Sequence, residues 1–197
     1  MNKRMGPLQK RGFTLIETFI AITILMTAIV GPLVLAARGL SGSSIARDQI
    51  TAYYLAQEVL EVVRAIRDEN SQKSEVWDAG ITASCGANIP TPTLCTIDTY
   101  LQGPSRLIPC AGSTTDNCPL LRQVDDSATK LRYYFQTDPN KIGGSGDSIY
   151  RRYLSVSFLD SASPNIAREM LLTVTVTWNT GLIERNVVIK ETMFDWK

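Results

Sequence analysis

Lys10-Arg11-Gly12-Phe13-Thr14-Leu15-Ile16-Glu17-Thr18-Phe19-Ile20 joins a basic segment to a long apolar one and leaves a single carboxylate near the seam. Between Phe13 and Ala37, Glu17 is the only ionisable side chain. As a helix these roughly 25 residues would rise about 37 Å, enough to cross a hydrocarbon core of about 30 Å. The stretch reads as a membrane-spanning helix. Upstream stand Lys3, Arg4, Lys10 and Arg11 with no acid among them, which holds residues 1–12 in the cytoplasm and sends the rest of the chain outward. A cleaved secretory signal is the competing reading, with Val34-Leu35-Ala36 as its small-residue cut site. Its apolar region would normally span only about 7–15 residues, whereas this one is longer and carries an acid near its start. A carboxylate in a helix bound for lipid costs on the order of 2.5–3.5 kcal/mol at the bilayer centre, so Glu17 calls for a cationic partner.

Gly12, Phe13 and Glu17, with Thr14-Leu15-Ile16 between them, resemble the type IV prepilin signature. That resemblance implies cleavage between Gly12 and Phe13 by a prepilin peptidase, N-methylation of the new Phe13 amine, and assembly of the subunit with other pilins on a platform protein driven by an ATPase. It also implies an α+β, pilin-like fold: a long N-terminal transmembrane α-helix packed on a small C-terminal antiparallel β-sheet with a loop-rich insertion. In such filaments the carboxylate at the position of Glu17 pairs with a neighbour's terminal amine. The residues themselves are compatible with this, because a cut after Gly12 creates an amine one helical turn before Glu17, whose own or a neighbouring terminus can neutralise it.

Four regions follow the leader 1–12: 13–37, the transmembrane half of the helix; 38–70, its amphipathic half; 71–130, an irregular region holding the cysteines; and 131–197, the sheet. Removing the leader and both halves of the long helix leaves about 127 residues, enough for one modest head domain. Gly31-Pro32 and the run Arg38-Gly39-Leu40-Ser41-Gly42-Ser43-Ser44 are poor helix formers, so a kink or loosening is expected there. From Ile45 to Asp68 the apolar residues Ala52, Ala56, Val59, Val63 and Ile66 fall at helical spacing, with Arg47, Asp48, Glu58, Glu61, Arg64 and Arg67 elsewhere on the helix. The segment Leu55–Asp68 is similar to the corresponding stretch of PilV-type minor pilins. Glu61 and Arg64 stand three residues apart and read as a solvated pair.

Cys85, Cys95, Cys110 and Cys118 are the four cysteines. On the outward side of a membrane an even number favours disulfides, and three connectivities are open to them. Nearest-neighbour pairing, Cys85 with Cys95 and Cys110 with Cys118, is the expectation. Zinc is the rival reading, but there is no Cys-x-x-Cys pair and no histidine. Toward the C-terminus Tyr150, Arg152, Leu154, Val156 and Phe158 alternate with polar residues, as do Leu172, Val174, Val176 and Trp178. Asn179-Thr180-Gly181 reads as the turn into a returning strand with Ile183, Val187, Ile189 and Met193, and Leu131–Gln136 as a further strand. The prediction is a sheet of three or four strands.

Catalysis is not expected. With no histidine, the commonest general base and the Ser-His-Asp arrangement are absent. Asp125-Asp126 reads as a solvated pair, and Asp138, Asn140 and Asp147 lack calcium-loop spacing. Gly143-Gly144-Ser145-Gly146-Asp147 lacks the lysine and hydroxyl of a phosphate loop and reads as a hairpin connection. No cofactor and no metal are implied. With 20 basic and 19 acidic side chains in all, and Lys3, Arg4, Lys10 and Arg11 lost with the leader, the mature chain carries a net charge of about −3 and nucleic acid is not an expected partner. The expectation is a minor pilin that helps to start or tip a type IV pilus, inserted in the cytoplasmic membrane with its head outside and then carried into an extracellular or periplasmic filament. A type II secretion pseudopilin is the alternative within the class, and a membrane-anchored surface binding module or adhesin the alternative outside it.

Overall fold

The computed structural model describes residues 12, 14–86, 93–99, 101–110, 118–125, 132–136, 146–159 and 169–195. The chain divides into two compact units, residues 1–46 and 47–197. One helix, α1 (Leu15–Gln72), starts in the first unit and ends in the second.

In the first unit Thr14 opens the helix: its hydroxyl accepts the Glu17 backbone N–H at 3.3 Å and its carbonyl accepts those of Glu17 and Thr18. The hydroxyls of Thr18, Thr23 and Thr27 donate back to helix carbonyls three or four residues earlier. These three hydroxyls are thus satisfied within the helix, as a lipid environment demands. The large apolar side chains from Leu15 to Leu35 are exposed, and α1 is the described helix that is long and apolar enough to cross a membrane. The loosening expected at Pro32 and at residues 38–44 is not observed, since helical structure continues through both. Proline forfeits one backbone bond, and that loss is local.

In the second unit, residues 47–72 of α1 form the spine of the head. Ala52, Ala56, Val59, Val63 and Ile66 are all fully buried, as their spacing predicts. The helix ends in a Schellman motif, with Ser74 at φ 57° in the position usually held by glycine and the Glu75 N–H bonded to the Asn70 carbonyl at 2.9 Å. The buried Asn70 amide then donates to the carbonyls of Trp77 and Ala79, drawing the chain back along the helix end. A short helix, α2 (Ile81–Ser84), follows. Its Gly80 cap sits at φ 79° against the Pro104 ring, where a Cβ has no room.

The sheet has seven described strands: β1 (Cys95–Ile97), β2 (Leu107–Pro109), β3 (Leu120–Asp125), β4 (Arg132–Phe135), β5 (Gly146–Phe158), β6 (Glu169–Thr180) and β7 (Ile183–Phe194). Every pairing is antiparallel. β5 organises it. Along one edge β5 pairs with β6 from Tyr150↔Trp178 to Phe158↔Met170; along the other, its start pairs with β3 and Leu154 pairs with Cys95 of β1. The sheet is thus larger than the three or four strands predicted, because residues 71–130, expected to be irregular, supply β1, β2 and β3. A three-residue strand such as β1 shows no periodicity, and its place is set by Cys95. The connection from β4 to β5 is not a hairpin either, since β3 lies between them. Gly146 and Asp147 begin β5, while residues 143–145 lie outside the described residues, as does Leu131 before β4. The β6–β7 turn falls one residue later than expected, at Gly181-Leu182, because Thr180 pairs with Ile183 and Gly181 takes the positive φ of 63°.

The helix-facing residues of β5 and β6, including Leu154, Val156, Leu172, Val174 and Val176, close on the α1 stripe. Among them lies Arg152, with a side chain 1 % exposed. Its guanidinium donates to the Leu55 carbonyl (3.2 Å), to Glu58 and to the Ile97 carbonyl (3.4 Å), so it ties α1, β1 and β5 together. At the other edge Arg64 grips Glu191 of β7 with two bonds, at 2.9 and 2.6 Å, and also Glu61 at 2.5 Å. The Glu61–Arg64 pair is therefore part of a helix-to-sheet link and not only a solvated face. Breaking a buried ion pair from one side costs about 3–5 kcal/mol. Arg152→Ala should lose that much stability in denaturant unfolding of the detergent-solubilised chain, and Arg152→Met, which refills the volume, should lose less. An Arg152→Ala chain within about 1 kcal/mol of the parent would contradict the clamp.

Candidate functional site

Glu17 occupies the first turn of α1, exposed, with no ion-pair partner among the described residues. Gly12 is likewise exposed, whereas Phe13 and residues 1–11 lie outside the described residues. Among the described residues, the carboxylate on this exposed apolar helix has no cation beside it.

The cysteines are all used: Cys85 is bonded to Cys95 and Cys110 to Cys118, the nearest-neighbour pairs. Thiolate zinc is thereby removed. The two bonds lie on opposite faces of the sheet. Cys85–Cys95 sits in the main core and fastens α2 to β1; Cys110–Cys118 packs with Leu94 against Tyr153, which points away from the helix. Among the described residues no group of three or more metal-ligating side chains comes together. Asp125 is bonded to Arg132 at 2.7 Å, which holds its carboxyl below the usual range, while Asp126, Asp138 and Asn140 lie outside the described residues. Asp147 meets Arg122 at 3.4 Å.

The head also contains a groove of about 1150 Å³ between α1 and the β3–β4 hairpin. On the helix side it is lined by Arg47, Thr51, Tyr54 and Glu58, a stripe that runs beside the core stripe of the same helix. Facing it are Gln123 and Asp125 of β3, Arg132, Tyr133 and Tyr134 of β4, and Tyr150 of β5. Tyr134 and Tyr150 meet edge to face, with ring centroids 5.5 Å apart. Sequence reasoning did not find this groove, because its walls come from segments some 80 residues apart. The available signal was the polar-aromatic spacing of residues 47, 51, 54 and 58.

The Tyr150 hydroxyl donates to the Asp48 carbonyl at 3.2 Å. Burial pushes this phenol up to about 12, helped by the negative charge of Asp48 and by Tyr134. The folded chain therefore keeps a proton that the unfolded chain releases near pH 10. The resulting stability is whole below about pH 10 and is lost as the pH rises toward about 12. Unfolding free energy should fall over this window more steeply for the parent than for Tyr150→Phe, whereas parallel curves would contradict it.

Compared with protein families, curated proteins and solved structures, the chain shows no match. The layout is pilin-like: a long apolar N-terminal helix whose later part packs on an antiparallel sheet.

Proposed function

We propose that this chain is a minor pilin, a membrane-inserted precursor that is cut after Gly12, methylated on Phe13 and assembled into a type IV pilus or a related filament. The observation that carries this reading is Glu17, an exposed carboxylate in the first turn of an exposed apolar helix, following the Gly12-Phe13 junction. An unpaired carboxylate in lipid is costly, and pairing it with a neighbour's Phe13 amine removes that cost while setting the axial stagger of adjacent helices. Membrane lipid holds the subunit until then, with the basic leader in the cytoplasm and the disulfide-bonded head outside, where thiols oxidise. The prepilin peptidase and methylase, the assembly platform and other pilins are its partners. Its role in starting or tipping the filament follows from the disulfide-stapled insertion and the PilV-like helix, which suit a rarer subunit.

Glu17→Ala tests the pairing separately from export. The variant should still be cleaved and recovered with the membranes, yet its amount in sheared filaments should fall at least about tenfold, the effect of losing about 1.4 kcal/mol. Recovery from filaments equal to that of the parent would contradict the role given to Glu17.

A further inference from the structure

The groove between α1 and the β3–β4 hairpin has a chemistry that filament assembly does not require. Arg47 stands 3.9 Å from Asp48, Arg132 pairs with Asp125, and Glu58 is held by Arg152. Among the described residues three guanidinium groups thus meet three carboxylates, and their charges cancel. An anionic ligand would have to compete with Asp48, Glu58 and Asp125 for these cations, and a cationic one would face the opposite competition. Each ion pair nevertheless uses only part of the hydrogen-bonding capacity of its members, because a guanidinium carries five N–H donors and a carboxylate about four acceptor positions. Gln123 adds an amide with both donors and an acceptor, already directed at Asp125 at 3.2 Å.

Among these planar polar groups stand four tyrosines. Tyr54 on the helix is 65 % exposed and Tyr133 on β4 is 47 % exposed, while Tyr134 and the buried Tyr150 lie deeper. Aromatic faces exposed beside paired polar side chains suit a ligand that is apolar on the faces of its rings and hydroxylated around their rims. A pyranose has that form: its C–H faces stack on tyrosine, and its adjacent hydroxyls bridge the two atoms of a carboxylate, amide or guanidinium. The volume of about 1150 Å³ lies above the roughly 300–1,000 Å³ of pockets that enclose one small molecule, so a chain of several units fits better than a single sugar.

We propose that this groove binds a neutral oligosaccharide, with Tyr54 and Tyr133 as stacking platforms and Gln123, Asp125 and Arg132 as the hydroxyl-binding set. The inference stands on the head alone and does not depend on entry into a filament. A proline-rich peptide also favours aromatic grooves. The paired carboxylate, amide and guanidinium groups favour the sugar, because vicinal hydroxyls can engage them in pairs, whereas proline offers no donor.

The test uses the full chain in a detergent without a sugar headgroup. Neutral hexasaccharides of β-1,4-glucose, β-1,3-glucose, α-1,4-glucose and β-1,4-N-acetylglucosamine are arrayed beside a sulfated glycan and a proline-rich peptide, and the strongest binder is titrated. At least one neutral hexasaccharide should bind with a Kd of about 1 mM or tighter. Tyr54→Ala and Tyr133→Ala should each weaken that binding about tenfold without moving the melting temperature, since both side chains are largely exposed, and Val188→Ser on β7 should leave it unchanged. Failure of every neutral hexasaccharide would overturn the proposal. So would binding undiminished in both tyrosine variants, or a preference for the sulfated glycan or the peptide.

Discussion

A guanidinium without access to water decides how this head is put together. Arg152 sits in the helix-facing register of β5, where leucine or valine would be the ordinary choice, and its side chain is 1 % exposed. Burying it without partners would be prohibitive, so Leu55, Glu58 and Ile97 must all be where its donors point. That requirement fixes the rotation of α1 about its axis and the depth at which β1 enters the sheet. Apolar contact alone would tolerate a small slide of the Ala52–Ile66 stripe, because hydrophobic burial has little directionality. The arginine removes that freedom. Burial pulls its pKa below the usual guanidinium value while Glu58 pulls it back, which is the balance expected of a buried cation held by its counter-ion.

A single helix serves two kinds of surroundings. In the first unit its apolar side chains lie exposed and its threonines turn their hydroxyls back on the backbone; in the second, an apolar stripe is buried and the flanking charges reach strands. The same strand-by-strand economy appears in the disulfides. Leu94 and Cys95 are neighbours in sequence and point to opposite faces, so one contributes to the outer cluster and the other to the core. The two short strands β1 and β2 would not hold by backbone pairing alone, and covalent links on each side keep them in place.

Much of this was legible in the chain because it is periodic or local. The 3.6-residue spacing of Ala52, Ala56, Val59, Val63 and Ile66 marked the buried face, alternation marked β5, β6 and β7, and sequence proximity gave the cysteine pairs. What was not legible depends on tertiary neighbours. β1 and β2 are too short to show a period, and β3 inserts between β4 and β5 for reasons that no window around residue 143 contains. The helix continues through Pro32 because proline forfeits a single backbone bond and the loss stays local. Arg152 could be seen in the buried phase of its strand, but its partners are about 55 to 97 residues away in sequence. The junction at Gly12 and Glu17 lies wholly in sequence, and the structure adds the exposure of that carboxylate.

The proposed function rests on where the mature chain begins. Intact-mass and N-terminal analysis of the cell-associated protein measures this directly. The account predicts a chain starting at Phe13 and carrying one added methyl group. A chain that still begins at Met1, or one cut after Ala36 as a secretory signal would be, would contradict it.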